Sequence, residues 1–174
     1  MKRALASALV VAALAAAPLA ATTVLYTSVP RSVQLSDLVL LGHVLRLENG
    51  YNQDGEIVTK VHLLVEESLK GAVERGQVLV FDAWGGSMDG THVETVGEAH
   101  YRLGEKVLVQ LEDIDGEYHT LGLSFGKWNV MRNREGKSML VRNLQDLHLV
   151  GASEEPLEVF PLARMRAVTR TTAE

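Results

Sequence analysis

From residue 38 onward the chain alternates apolar and polar positions in short runs broken by glycine turns, the pattern of an all-β domain. "LVLLGHVLRLE" reads as a first long strand. In "IVTKVHLLVEESL", Ile57, Val61, Leu63, Val65 and Leu69 share one face, with Lys60, His62, Glu66 and Ser68 on the other. "VLVFDA" begins a third strand. "KVLVQLE" repeats the alternation, with Val107, Val109 and Leu111 inward. Asp115-Gly116 predicts a hairpin turn before "YHTLGLSFG", and "KWNVMR" with "SMLVRN" predicts another hairpin around "NREGK".

Two short helices complete the reading. "SVQLSDL" predicts one helical turn with Ser32 as N-cap. Leu162, Met165 and Val168 recur at helical spacing behind Pro161, a suitable first helical residue. Six or seven strands in sequential antiparallel hairpins, with one short C-terminal helix, predict a mostly β fold. A small OB-like barrel is expected, or a sandwich. Gly42 and Gly122, placed inside strands, predict strong bends.

The first residues change the picture by adding a destination. "MKR" supplies a positive start, "ALASALVVAALAAAPLA" an uncharged apolar run, and Ala20 to Thr23 small residues suited to cleavage. An export signal over residues 1–21 is expected, followed by a linker over 22–30, a β domain over 31–150, and a C-terminal helix and tail over 151–174. The chain is then periplasmic or secreted. The alternative is an uncleaved N-terminal anchor, which would be its one contact with a membrane.

The sequence has no cysteine, so disulfides, thiol nucleophiles and cysteine-held metals are excluded. Without Lys2 and Arg3 the chain keeps 15 basic against 22 acidic residues, a balance near −7 that disfavours nucleic acid as a partner.

Candidate chemistry centres on "DAWGGSMDG", residues 82–90. A phosphate-binding loop would need a glycine where Met131 stands ahead of "GKS" at 136–138, and a helix after it. A nucleophile elbow would need a glycine where Asp89 follows Ser87. Both signatures fail, and "WGGSMDG" reads as a wide loop whose glycines supply positive φ angles. Trp84, Gly85, Gly86, Ser87 and Asp89 are its candidate ligand-binding residues. In "THVETVGEAHY", His92 and Glu94 alternate, as do Glu98 and His100, so an extended segment could turn all four to one side as ligands for a divalent cation. The competing reading is a polar edge that buries Val93 and Val96. A Ser87–His–Asp89 triad can be assembled on paper, but any chain with six histidines allows that. Adjacent carboxylates such as Glu66-Glu67, Glu112-Asp113 and Glu154-Glu155 fall on opposite faces of a strand and cannot act as one couple.

The order "SDLVLLGHV", "VTKVHLLVEESLKG", "GG…VETVGEAHYRLGEKVLVQLE" and "YHTLGLSFGKWNV", spanning Ser36 to Val130, resembles a group of uncharacterised exported bacterial proteins. Tyr101 and Trp128 stand where that pattern has phenylalanine. More distantly, the plan is similar to the netrin-like OB barrel of the metalloproteinase inhibitors. That group relies on disulfides and an N-terminal cysteine, both absent here, so the resemblance implies fold and compartment and carries no catalytic residue. The expected function is an exported, non-catalytic β-barrel that binds a protein, peptide or glycan without a cofactor. The alternative is a metal-dependent hydrolase using His92, Glu94, Glu98 and His100.

Overall fold

The computed structural model describes residues 23–151 and 157–172. The expected export signal over residues 1–21 and the Glu154-Glu155 pair lie outside them. Strand β1 (Thr23–Leu25) and helix α1 (Val29–Leu35) precede two long strands, β2 (Leu38–Tyr51) and β3 (Ile57–Lys70). Next come β4 (Val78–Met88), β5 (Thr91–Glu94), β6 (Lys106–Ile114) and β7 (Glu117–Thr120). A 3-10 turn leads to β8 (Lys127–Arg132), β9 (Ser138–Asn143), β10 (His148–Val150), β11 (Leu157–Pro161) and helix α2 (Leu162–Thr172). Among the described residues no helix is long and apolar enough to cross a membrane.

Five strands form the barrel. β2 pairs with β3 and with β6, β3 with β4, and β6 with β7, all antiparallel. The ring closes where β7 meets β4 in parallel, at the single register pair Asp82 and His119. This is a small, OB-like, partly closed barrel. Long strands can wrap a narrow barrel only by bending, and β2–β3 bends at three register shifts. The shifts skip Leu69 and Glu66 on β3 and Leu45 on β2. Gly42 lies at one of them, where a Cβ would sit 2.3 Å from the Leu64 carbonyl oxygen.

The barrel interior holds Val61, Leu63, Val65, Val107, Val109 and Leu111, the six inward positions of the two alternating segments, together with Leu40, Val44 and Phe81. Leu69 departs from the expected face. As a skipped residue at a bulge it turns to the other side of the sheet and packs in a second core. Ile57 is only partly buried, whereas Val58 is fully buried. The second core lies between the outer faces of β2, β6, β8 and β9 and the two helices, around Val39, Leu41, Leu108, Trp128, Leu140 and Met165. β2 is therefore buried on both sides, which is why residues 38–41 read as an unbroken apolar run.

Several local expectations are corrected. Ser32 is no N-cap: α1 begins at Val29 with Pro30 in its first turn, and the buried Ser32 hydroxyl donates to the Val29 carbonyl at 3.0 Å. Pro161 ends β11 instead of opening α2. Gly122 is not in a strand but stands before the 3-10 turn at φ 56°. "WGGSMDG" is no wide loop. β4 runs on to Met88, pairs with β5, and turns through Asp89-Gly90, whose φ angles of 51° and 78° suit a two-residue hairpin. The stretch 22–30, expected as a linker, carries β1, which pairs in parallel with β10, and the buried Val29.

Candidate functional site

One end of the barrel holds a cavity of about 420 Å³. Its floor is the last layer of the barrel core, where Leu47 and Tyr101 pack against the cluster that contains Ala83. Asn49 and Thr59 continue the inner faces of β2 and β3 beyond that layer, and the Thr59 hydroxyl donates to the Gly85 carbonyl at 2.9 Å. The wall on the β4 side is almost bare backbone. At Gly85 (φ 93°) a Cβ would lie 2.6 Å from the Val93 carbonyl oxygen, and at Gly86 (φ 147°) 2.6 Å from Asn49 Oδ1. Both glycines are thus required by close approach as well as by backbone angle. Trp84 also borders the cavity, its ring stacked on His119 at 4.3 Å with 10° between the planes.

The segment after β5 closes the cavity from above. It turns at Thr95–Glu98, where the Glu98 amide donates to the Thr95 carbonyl at 3.1 Å and Gly97 has φ 84°. This delivers Glu98 inward, leaving it only 6% exposed. Its Oε1 accepts from the Ala99 amide at 2.8 Å, while its Oε2 is buried without a partner. Burial pushes the Glu98 carboxyl up to about 7, against the opposing backbone hydrogen bonds from Ala99 and Trp84. Beside it, burial holds the Tyr101 phenol well above its usual range, and its hydroxyl is bonded to Thr120 Oγ1 at 2.8 Å. Lys127 lies over the Tyr101 ring at 4.6 Å. It pairs with Glu105 at 2.7 Å and donates to the His100 carbonyl. Burial lowers its pKa, with Glu105 opposing.

The candidate residues separate cleanly. Trp84, Gly85 and Gly86 line the cavity, and so do His92, Glu94, Glu98 and His100. Ser87 and Asp89 do not. Ser87 Oγ shares a hydrogen bond of 2.9 Å with His92 Nδ1 across the β4–β5 pair, but Asp89 accepts from the Tyr51 hydroxyl at 2.9 Å instead of orienting that histidine. Both contacts are exposed. The expected metal arrangement is also altered, because the segment is extended only as far as Glu94. The turn at Gly97 then buries Glu98 while His92, Glu94 and His100 stay exposed. Among the described residues no three His, Asp or Glu side chains gather where they could hold a metal ion.

Asn49 and Thr59 carry no candidate role in the sequence reading, and Tyr101 enters it only as a departure from the resembled pattern. A signal for the first two exists: carrying the period of two outward from Leu47 and Val61 places both on the inner face. The outer face carries ion pairs instead, Lys60 with Asp82 at 3.3 Å and His62 with Glu48 at 2.8 Å. Glu66 and Glu67 do part as expected, Glu66 toward Lys106 and His43 and Glu67 toward Arg166. Compared with protein-family models, curated proteins and solved structures, the chain matches none.

Proposed function

We propose that this chain is an exported, non-catalytic binding module that takes part of a peptide or glycan into the open end of its barrel, outside the cytoplasm. The observation that carries the reading is the cavity itself. Its volume of about 420 Å³ falls in the range of ligand sites, and it combines an apolar floor with a few convergent polar groups. The N-terminal pattern around "MKR" and the alanine-rich run supports export. Peptide and glycan arrays probed with the chain from residue 22 onward test the reading. Binders should appear and should be lost in Ala83→Trp, which fills the cavity floor. Binding that survives a folded Ala83→Trp variant overturns the site.

A metal-dependent hydrolase is the second reading. In its favour, His92, Glu94, Glu98 and His100 all border this one cavity, and a carboxyl titrating near 7 suits general acid–base chemistry. Metal analysis of the purified protein, beside an esterase and peptidase screen, tests it. Stoichiometric metal, with hydrolysis lost in Glu98→Gln, would favour it over the binding module.

A further inference from the structure

Glu98 presents an imbalance that the rest of the barrel mouth does not correct. Glu98 is 6% exposed; the Ala99 amide bonds its Oε1 and the Trp84 backbone also acts on the carboxyl, but Oε2 is left without a hydrogen-bond partner. The cavity it borders offers no remedy of its own. Its lining includes a second carboxylate, Glu94, and contains no lysine or arginine, and its two histidines, His92 and His100, are not hydrogen-bonded to Glu98. Lys127, packed on the Tyr101 ring, is already held by Glu105 and the His100 carbonyl. The missing partner is therefore a donor, and a positively charged donor matches the sign of the lining.

The geometry restricts that donor further. The strongest contact between a guanidinium and a carboxylate is a planar fork on both oxygens. At Glu98 one is already engaged by the backbone. An ammonium, a compact charge with three donors, needs only the free one, and Asn49, Thr59 and Glu94 supply oxygens around the same space. Leu47, Ala83 and Tyr101 form an apolar floor of the kind that accepts an aliphatic stem. An amino sugar would bring its ammonium flanked by hydroxyls, which that floor leaves unpaired.

We infer that the barrel mouth takes the side chain of a lysine from a peptide, its ammonium pairing with the Glu98 carboxylate and its methylene stem lying on Leu47, Ala83 and Tyr101. The inference rests on the peptide-or-glycan reading and deepens it. It is tested by NMR titration, following the indole N–H of Trp84, with the peptide Ac-Gly-Lys-Gly-NH2, its Nε-acetylated form, and a glucosamine trisaccharide. The lysine peptide should shift the Trp84 signal and bind about ten-fold tighter than the acetylated one, as a charge-assisted hydrogen bond implies. Glu98→Gln, which keeps the shape, should erase that preference.

Equal affinity of the two peptides for the unaltered protein overturns the ammonium assignment while leaving a binding cavity in place. So does a preference that persists in Glu98→Gln. Tighter binding of the trisaccharide than of the lysine peptide overturns the peptide source. If no probe moves the Trp84 signal although the arrays give binders, the lysine inference fails alone. If the arrays are also empty, the binding reading fails with it.

Discussion

Arg142 and Glu158 face each other across β9 and β11. The guanidinium donates from Nε and Nη2 to the same carboxylate oxygen at 2.8 and 2.5 Å. The guanidinium lies between the rings of Phe125 and Trp128, at 3.8 and 4.1 Å, and also donates to the Phe125 carbonyl at 2.6 Å. The arginine is 1% exposed, so removing its counter-charge strands a cation in the interior. Glu158→Ala should cost about 2–4 kcal/mol, toward the lower end of buried-pair losses because Glu158 keeps some solvent contact. Lys137→Ala, which breaks the exposed pair with Glu135, should cost under about 0.5 kcal/mol. Urea unfolding of the two variants checks the contrast. Equal small losses would mean that the buried pair adds nothing to stability.

The barrel core makes a second contrast. Leu63 is fully buried in the interior cluster, and its neighbour His62 faces outward toward Glu48 at 2.8 Å. Leu63→Ala should cost about 2–5 kcal/mol through lost contacts and an unfilled cavity. His62→Ala should cost about 1 kcal/mol or less. Similar losses in denaturant melts would contradict the assignment of faces.

These contrasts mark what the sequence could and could not convey. Val61, Leu63, Val65, Val107, Val109 and Leu111 were legible because a strand with one buried face must repeat every two residues. Leu69 was not, because a bulge resets the parity and its position depends on how β2 and β3 bend around each other. β11 is not legible because its pairing with β9 spans a sequence gap that no local pattern encodes. At the mouth, the glycines and the 92–100 segment read in sequence as rival sites. That they border one cavity follows only from the β4–β5 pairing and the turn at Gly97.

Gly85 and Gly90 both have positive φ, but only Gly85 is crowded. A Cβ at Gly90 would meet nothing within 4 Å, whereas at Gly85 it would meet the Val93 carbonyl oxygen at 2.6 Å. Gly90→Ala should then cost about 1 kcal/mol for backbone strain alone, and Gly85→Ala clearly more. Ser87→Ala should change stability by less than about 0.5 kcal/mol, its hydrogen bond to His92 being exposed. Thermal melts of the three variants rank them. A Gly85→Ala protein as stable as Gly90→Ala would show that the wall of the cavity gives way easily.

Glu98 should leave a signature in the pH dependence of stability. Its ordinary value is 4.5 and burial raises it to about 7 in the folded chain, so the native state holds this proton more tightly than the unfolded state. The contribution is fully present below about pH 4.5, is lost as the pH rises to about 7, and is constant above, a fall of about 3 kcal/mol at most. Glu98→Gln should remove this slope, and the difference between the two unfolding profiles isolates it from other titrating groups. Parallel profiles would place the Glu98 carboxyl in water.

Export is tested independently of the barrel. The N-terminal pattern predicts that protein recovered from the periplasm or medium begins between Ala21 and Val24. N-terminal sequencing reads this directly, and a cytoplasmic chain that retains Met1 would contradict it.

The central claim, that the barrel mouth is where this protein meets its ligand, is tested most directly by hydrogen–deuterium exchange with and without the strongest binder from the arrays. The account predicts added protection in residues 83–86 and 92–101. It predicts none on the outer β8–β9–β11 face, where Met131 and Val159 are exposed. Protection confined to that outer face, with the mouth unchanged, would contradict it.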